Sequence, residues 1–279
     1  MAIKRLFFFH NPKAGGSSLR NALAGLFPAH RTCPVIENDP FGHRLAEGSY
    51  GAFRGYDLYA GHYGYDVYRA VGEGHACVTN FRHPVQRLVS LYNYFRFAVQ
   101  PAPEVLAQPE YYTVRLAKSV SFEAFVAHDD PRTTVYTRDH HFRQLANSGW
   151  AMATTRSIGQ VQAFIDAMPW FYMCEFPQLS MRWARTALGW PEAEPPRDNV
   201  TPQGDGSAAR TVALTPAAIH AIMDRNRRDL AIYRHAADRF LAESCQWAEA
   251  PAAEPLREAP TWREPAPAQA FRSAAAPST

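Results

Sequence analysis

Leu6-Phe7-Phe8-Phe9-His10-Asn11-Pro12-Lys13-Ala14-Gly15-Gly16-Ser17-Ser18-Leu19 is the stretch that decides the fold. Four consecutive apolar residues, Leu6–Phe9, match a strand covered on both faces, as in a parallel sheet. Two glycines follow, and Leu19, Leu23 and Leu26 then recur at helical spacing, so a helix is expected to start near Ser17. Strand, glycine loop and helix in that order form an anion cradle. Glycine lets the backbone approach a ligand without a Cβ in the way. The helix start turns unpaired N–H groups and its positive dipole end into the loop. Lys13 adds a mobile cation, and Ser17 and Ser18 add hydroxyl donors beside Ala14, Gly15 and Gly16. A plain strand–turn–helix connection explains the glycines alone equally well. The magnesium-binding P-loop of nucleotide kinases does not fit, because Lys13 precedes the glycines instead of following them.

Further along, Tyr56–Gly61, Ala76–Phe81 and Trp170–Cys174 read as short strands. Pro84 is tolerated in a first helical turn, and Val85, Leu88, Tyr92, Phe95 and Val99 step by three or four, predicting an amphipathic helix. Gln100–Pro109 reads as a loop, Gln178–Leu188 as a helix, and Thr215-Pro216 as the start of a helix running to about Leu241. Alternating strands and helices predict an α/β fold with a mainly parallel central sheet flanked by helices. Of the 31 residues 249–279, 16 are alanine or proline with no apolar periodicity, so a folded domain over 1–248 and a disordered tail over 249–279 are expected.

Arg82 lies at the end of the 76–81 strand, and Ser90 eight residues beyond, just over two helical turns. The two therefore face roughly the same side, with a guanidinium fork that matches phosphate oxygens. An arginine capping a carbonyl and a solvated serine are the ordinary alternative. Two oxyanion sites at the carboxyl ends of two strands fit the edge at which open α/β sheets bind ligands.

The composition narrows the class. The 279 residues are 47% hydrophobic and 20% charged, which is globular, and Lys plus Arg exceed Asp plus Glu only by 29 to 26, which does not suggest a nucleic-acid binder. Residues 1–100 carry eleven Lys/Arg against six Asp/Glu, so an anion is best received there. Cys33, Cys77, Cys174 and Cys245 make no C-x-x-C pair, so neither a zinc site nor a disulfide framework is indicated. The opening apolar run is too short for a signal-peptide core, and no stretch is long enough to span a bilayer, so a cytoplasmic location without a membrane span is expected.

FFFHNPKAGGSS (7–18) resembles the 5′-phosphosulfate loop of the carbohydrate sulfotransferases that use 3′-phosphoadenosine-5′-phosphosulfate (PAPS), in particular the group that includes heparan sulfate 2-O-sulfotransferase. NFRHPVQRLVSLYNYF (80–95) resembles their 3′-phosphate motif. Ala60-Gly61-His62-Tyr63 is similar to the segment carrying their catalytic histidine. HHFRQLA (140–146) resembles a segment near their acceptor cleft, with His141 where glutamine is usual. DNVTP (198–202), Asp229 and Tyr233 echo their C-terminal end, so the likeness spans about residues 5–240. It implies a P-loop-NTPase-like sulfotransferase fold, PAPS as co-substrate without a metal, and a carbohydrate-like acceptor. It implies Lys13, Ala14, Gly15, Gly16, Ser17, Ser18, Arg82 and Ser90 as the donor site, and it offers His141 and Arg143 as acceptor contacts, with a structural role for His141 and a solvated surface position for Arg143 as the alternatives. His62 is the expected general base, since histidine's ordinary pKa of about 6.5 suits proton transfer at neutral pH. Lys13 is the expected cation at the bridging oxygen. Arg210 is a candidate to close over the nucleotide. Tyr92, Tyr94, Phe95 and Phe97 invite reading as a sugar-stacking platform, although Tyr92 and Phe95 fall at core spacing. A magnesium-dependent kinase and a non-catalytic bisphosphate- or glycan-binding protein are the rival classes. The first lacks its Lys-Ser/Thr pair, and the second has no use for His62 and Lys13.

Overall fold

The structure, a computed structural model, describes residues 3–34, 53–190, 212 and 214–249. The tail beyond Glu249, the 198–202 segment and Arg210 lie outside the described residues. Four strands, β1 (Leu6–Phe9), β2 (Leu58–Gly61), β3 (Ala76–Phe81) and β4 (Tyr172–Met173), form an all-parallel sheet in the order β2-β1-β3-β4. Every side chain of β1 is buried, so both faces of the sheet are covered, as its uninterrupted apolar run requires. Phe9 pairs with Gly61 on one side and Thr79 on the other. His10, His62 and Asn80 therefore stand in one row at the carboxyl edge, where β1 and β2 end and β3 continues to Phe81.

Helices α1 (Gly16–Ala24), α2 (Tyr65–Val71) and α3 (Pro84–Asn93) alternate with these strands. Six further helices follow: α4 (Pro103–Leu106), α5 (Tyr112–Ser119), α6 (Phe122–Ala127), α7 (Pro131–Thr137), α8 (His140–Ala146) and α9 (Ile158–Asp166). After β4 come α10 (Pro177–Leu188), α11 (Pro216–Arg225) and α12 (Arg227–Glu249). The main core joins the sheet to α8, α9, α10 and the buried Ile232, Ala236 and Phe240 of α12. A second cluster packs Leu88, Leu91, Tyr92 and Phe95 against α5, α6 and Ile222 of α11.

Two helices differ from expectation. The helix from Pro84 leaves α geometry after Asn93 and continues as a π-turn, Tyr94–Ala98. Arg96 bolts that turn to the end of α5 by donating to the carbonyls of Ala117, Lys118 and Val120. The helix expected from Pro216 to Leu241 is two helices, broken at Asn226. There the buried Asn226 side chain accepts from Asp139 N at 2.9 Å, and its amide donates to Ile222 O at 2.9 Å.

The break admits a reciprocal cap. Asp139 precedes α8 with left-handed φ 42°. Its carboxylate accepts from Arg228 N and Asp229 N, both at 3.0 Å, capping α12. Asp229 in turn accepts from Phe142 N at 2.7 Å and His141 N at 3.4 Å, capping α8. Burial pushes the Asp229 carboxyl up to about 6, and the Asp139 charge adds to that. Asp139→Ala removes one cap and places alanine in a left-handed position, so a loss of about 1–2 kcal/mol is expected in urea titration. Asp139→Asn, which tolerates left-handed φ, is expected to lose less.

Candidate functional site

The row His10–His62–Asn80 brings the three N-terminal motifs to one edge, and side chains lock two of them together. The Asn80 side chain accepts from Asn11 N at 2.7 Å and donates to Asn11 O at 3.0 Å and Ala14 O at 2.9 Å. Asn11 Nδ2 donates back to Asn80 O at 3.3 Å. Arg82 Nη1 donates to Lys13 O at 3.1 Å. The end of β3 thus clasps the glycine loop.

Within the loop, Lys13 has φ 67° and Gly15 φ 79°, both left-handed. For a lysine this is an uncommon conformation, of the kind that concentrates at ligand sites. Gly15 is the N-cap of α1, and among the described residues no side chain caps that helix start. The first turn, from Gly16, therefore turns the positive end of the helix dipole toward the loop, as an oxyanion requires. A Cβ on Gly16 would lie under 3.0 Å from the His10 ring and 2.8 Å from Asn80 Nδ2, so only glycine lets α1 begin this close to the sheet edge. Ser17 is half-buried and Ser18 buried. Ser90, on α3, is half-buried.

The Lys13 ammonium sits 3.9 Å from the centre of the Tyr94 ring. Burial, then the neighbouring Arg82 charge, lowers its pKa to about 8. His62 follows β2, with its ring 4.4 Å from that of His10 and 6.1 Å from that of Trp150. His10 is buried and stacks on Phe8 at 5.6 Å. Burial holds its pKa well below the usual histidine value, with His62, Arg20 and Lys13 adding to the effect, so His10 is a neutral wall of the site. Gln144 of α8 donates to His10 O at 3.1 Å and Tyr63 O at 2.9 Å, tying the loop to the segment that carries His62.

His141 and Arg143 do not face a cleft. His141, 4% exposed, meets Thr79 Oγ1 through Nε2 at 3.0 Å, while Thr79 donates to Phe9 O. Burial and then Arg87 lower its pKa to about 3. Arg143 is 0% exposed and donates to four main-chain carbonyls, those of Arg138, Gly149, Ala151 and Val135. Both side chains hold α8 in place, His141 through Thr79 and Arg143 through the four carbonyls. His140 is likewise buried, with Nδ1 2.7 Å from Val135 O. Tyr92 and Phe95 are core, as their spacing implies.

Asn80, His10 and Gln144 were not singled out in the sequence. His10 had a signal, since it is the first residue past β1, as His62 is past β2, and Asn80 stands near the end of β3, paired with Tyr172. Gln144 had none, because its two carbonyl partners lie 134 and 81 residues away. Among the described residues no group of His, Cys, Asp or Glu forms a metal-binding cluster, and no helix is long and apolar enough to cross a membrane. No protein-family model matches the chain, and no curated protein matches it.

Proposed function

We propose that the protein is a PAPS-dependent sulfotransferase, with the fold of that class, moving a sulfuryl group to a hydroxyl of a carbohydrate-like acceptor. The observation that carries this reading is the clasp of Asn80 and Arg82 on the Lys13 loop, with His62 in the same row. The clasp sets two cationic groups and a helix start within one site, which suits a donor with anions at both its 5′ and 3′ ends. In this reading the amides and hydroxyls of Gly15–Ser18 hold the 5′-phosphosulfate, and Arg82 with Ser90 holds the 3′-phosphate. His62 takes the acceptor hydroxyl's proton as its oxygen attacks sulfur. The S–O bond to the 5′-phosphate breaks in line, and Lys13 stabilises the charge that appears on the departing oxygen. Each developing charge has a side-chain partner, so the reading requires no metal.

The test is calorimetry with 3′,5′-bisphosphoadenosine and with 5′-AMP. The bisphosphate is expected to bind much more tightly. Arg82→Ala should weaken it about 10- to 150-fold, the worth of a charge-assisted bond of roughly 1.5–3 kcal/mol. Equal affinity for the two nucleotides would overturn the assignment.

A further inference from the structure

Only three lysines, Lys4, Lys13 and Lys118, stand among the chain's 29 Lys and Arg residues. At the loop the chain places an ammonium, a compact charge on a flexible stem, where most of its other cations are guanidinium forks. Among the described residues no hydrogen bond or ion pair holds that ammonium. Its contact is the face of Tyr94 at 3.9 Å, while the Arg82 charge beside it disfavours its own. Tyr94 is presented rigidly. It opens the π-turn that Arg96 fixes to α5, where Lys118 Nζ also donates to Arg96 O at 2.9 Å. Tyr94 is nevertheless 43% exposed and does not belong to either core cluster.

We propose that Tyr94 is a positioning residue, an aromatic seat for the Lys13 ammonium from which an arriving oxyanion draws it. A ring face attracts a cation through its quadrupole by about 0.5–1 kcal/mol at an exposed position and about 2 kcal/mol once desolvated, and here a partly buried ammonium meets a half-exposed tyrosine. A phosphate or sulfate oxygen forms a charge-assisted hydrogen bond worth about 1.5–3 kcal/mol. The exchange therefore runs toward the anion, and Lys13 needs only its own side-chain rotations to make it. The seat lies immediately after α3, the helix that carries Ser90, so one helix serves both ends of the donor. This inference rests on the sulfotransferase reading only in naming that donor.

Selective carbon-13 labelling of lysine tests the seat by NMR, because three lysines give three assignable ε-methylene signals. In the free protein the Lys13 signal is expected to be shifted upfield by the ring relative to Lys4 and Lys118. It should return toward them on saturation with inorganic pyrophosphate or 3′,5′-bisphosphoadenosine. Tyr94→Phe should keep the shift, and Tyr94→Leu should abolish it while raising affinity for both anions about two- to fivefold. An unshifted Lys13 in the free protein, a shift that persists with bound anion, or the wild-type shift in Tyr94→Leu each overturns the seat. If pyrophosphate moves Lys13 and the bisphosphate does not bind, the seat stands and the donor assignment fails. If the bisphosphate binds without moving Lys13, the reverse holds. Binding of neither anion overturns both.

Discussion

His62→Ala is expected to lower kcat about 10²- to 10⁴-fold, the usual worth of a general base, with little change in affinity for 3′,5′-bisphosphoadenosine. The two expectations separate because His62 leaves the sheet on β2, whereas the clasp on the glycine loop is made by Asn80 and Arg82 of β3 and its end. Lys13→Ala should lower kcat as well, but it should also weaken donor binding, because an ammonium at the sulfate end acts in the ground state too. The two variants therefore differ in kind. Lys13 also gives a pH signature. Its pKa of about 8 means that the charged form is present below that pH and lost above it. Donor affinity should fall as pH rises through about 8, and Lys13→Arg should remove that alkaline limb. Steady-state kinetics and calorimetry on either side of that pH check both statements. Near-wild-type kcat in His62→Ala would remove the base assignment, and His141, committed to Thr79 and buried, could not replace it.

Gly16→Ala is expected to abolish measurable bisphosphate binding, a loss above 100-fold, or about 2.7 kcal/mol. The added methyl would meet the His10 ring and the Asn80 amide at under 3.0 Å. Neither can retreat. His10 is closed in by Phe8 at 5.6 Å and His62 at 4.4 Å, and Asn80 holds the loop through three hydrogen bonds. The start of α1 must move instead, and its first-turn amides go with it. Overpacking of this kind also costs about 1–3 kcal/mol of stability, to be read by urea titration. Gly159→Ala is the control. It lies in α9 with nothing within 4 Å of its added carbon, so it should leave binding unchanged and stability equal or higher. Wild-type affinity in Gly16→Ala would show that the cradle is not the binding site.

The elements around the site were legible because they obey local rules. An apolar run at Leu6–Phe9 forces burial on two faces, Pro84 opens a helix, and the 85–95 spacing fixes its inward side. What the sequence did not disclose depends on distant partners. Arg143 reads as a surface cation until four carbonyls around it are known. His141 reads as a site histidine until Thr79, 62 residues away, takes it. The break at Asn226 follows from a bond to Asp139, 87 residues upstream, and nothing in the Thr215–Leu241 periodicity marks it. The short helices α5–α9 carry too few turns each for periodicity to separate them. Asn80 was legible as part of a motif, yet its role as the clasp required the loop to be seen folded back on it.

The reciprocal cap between α8 and α12 has a kinetic consequence. Its carboxylates and amides lie about 90 residues apart along the chain, so the contact closes a large loop and is expected among the late steps of folding. Interactions absent from the transition state act on the rate of unfolding and leave the rate of folding nearly untouched. A chain altered at Asp139 should thus refold at its usual speed but unfold faster. The two carboxylates act as a latch on the lifetime of the native state, and the helix that they restrain is the one whose Gln144 keeps the loop and the His62 segment in register.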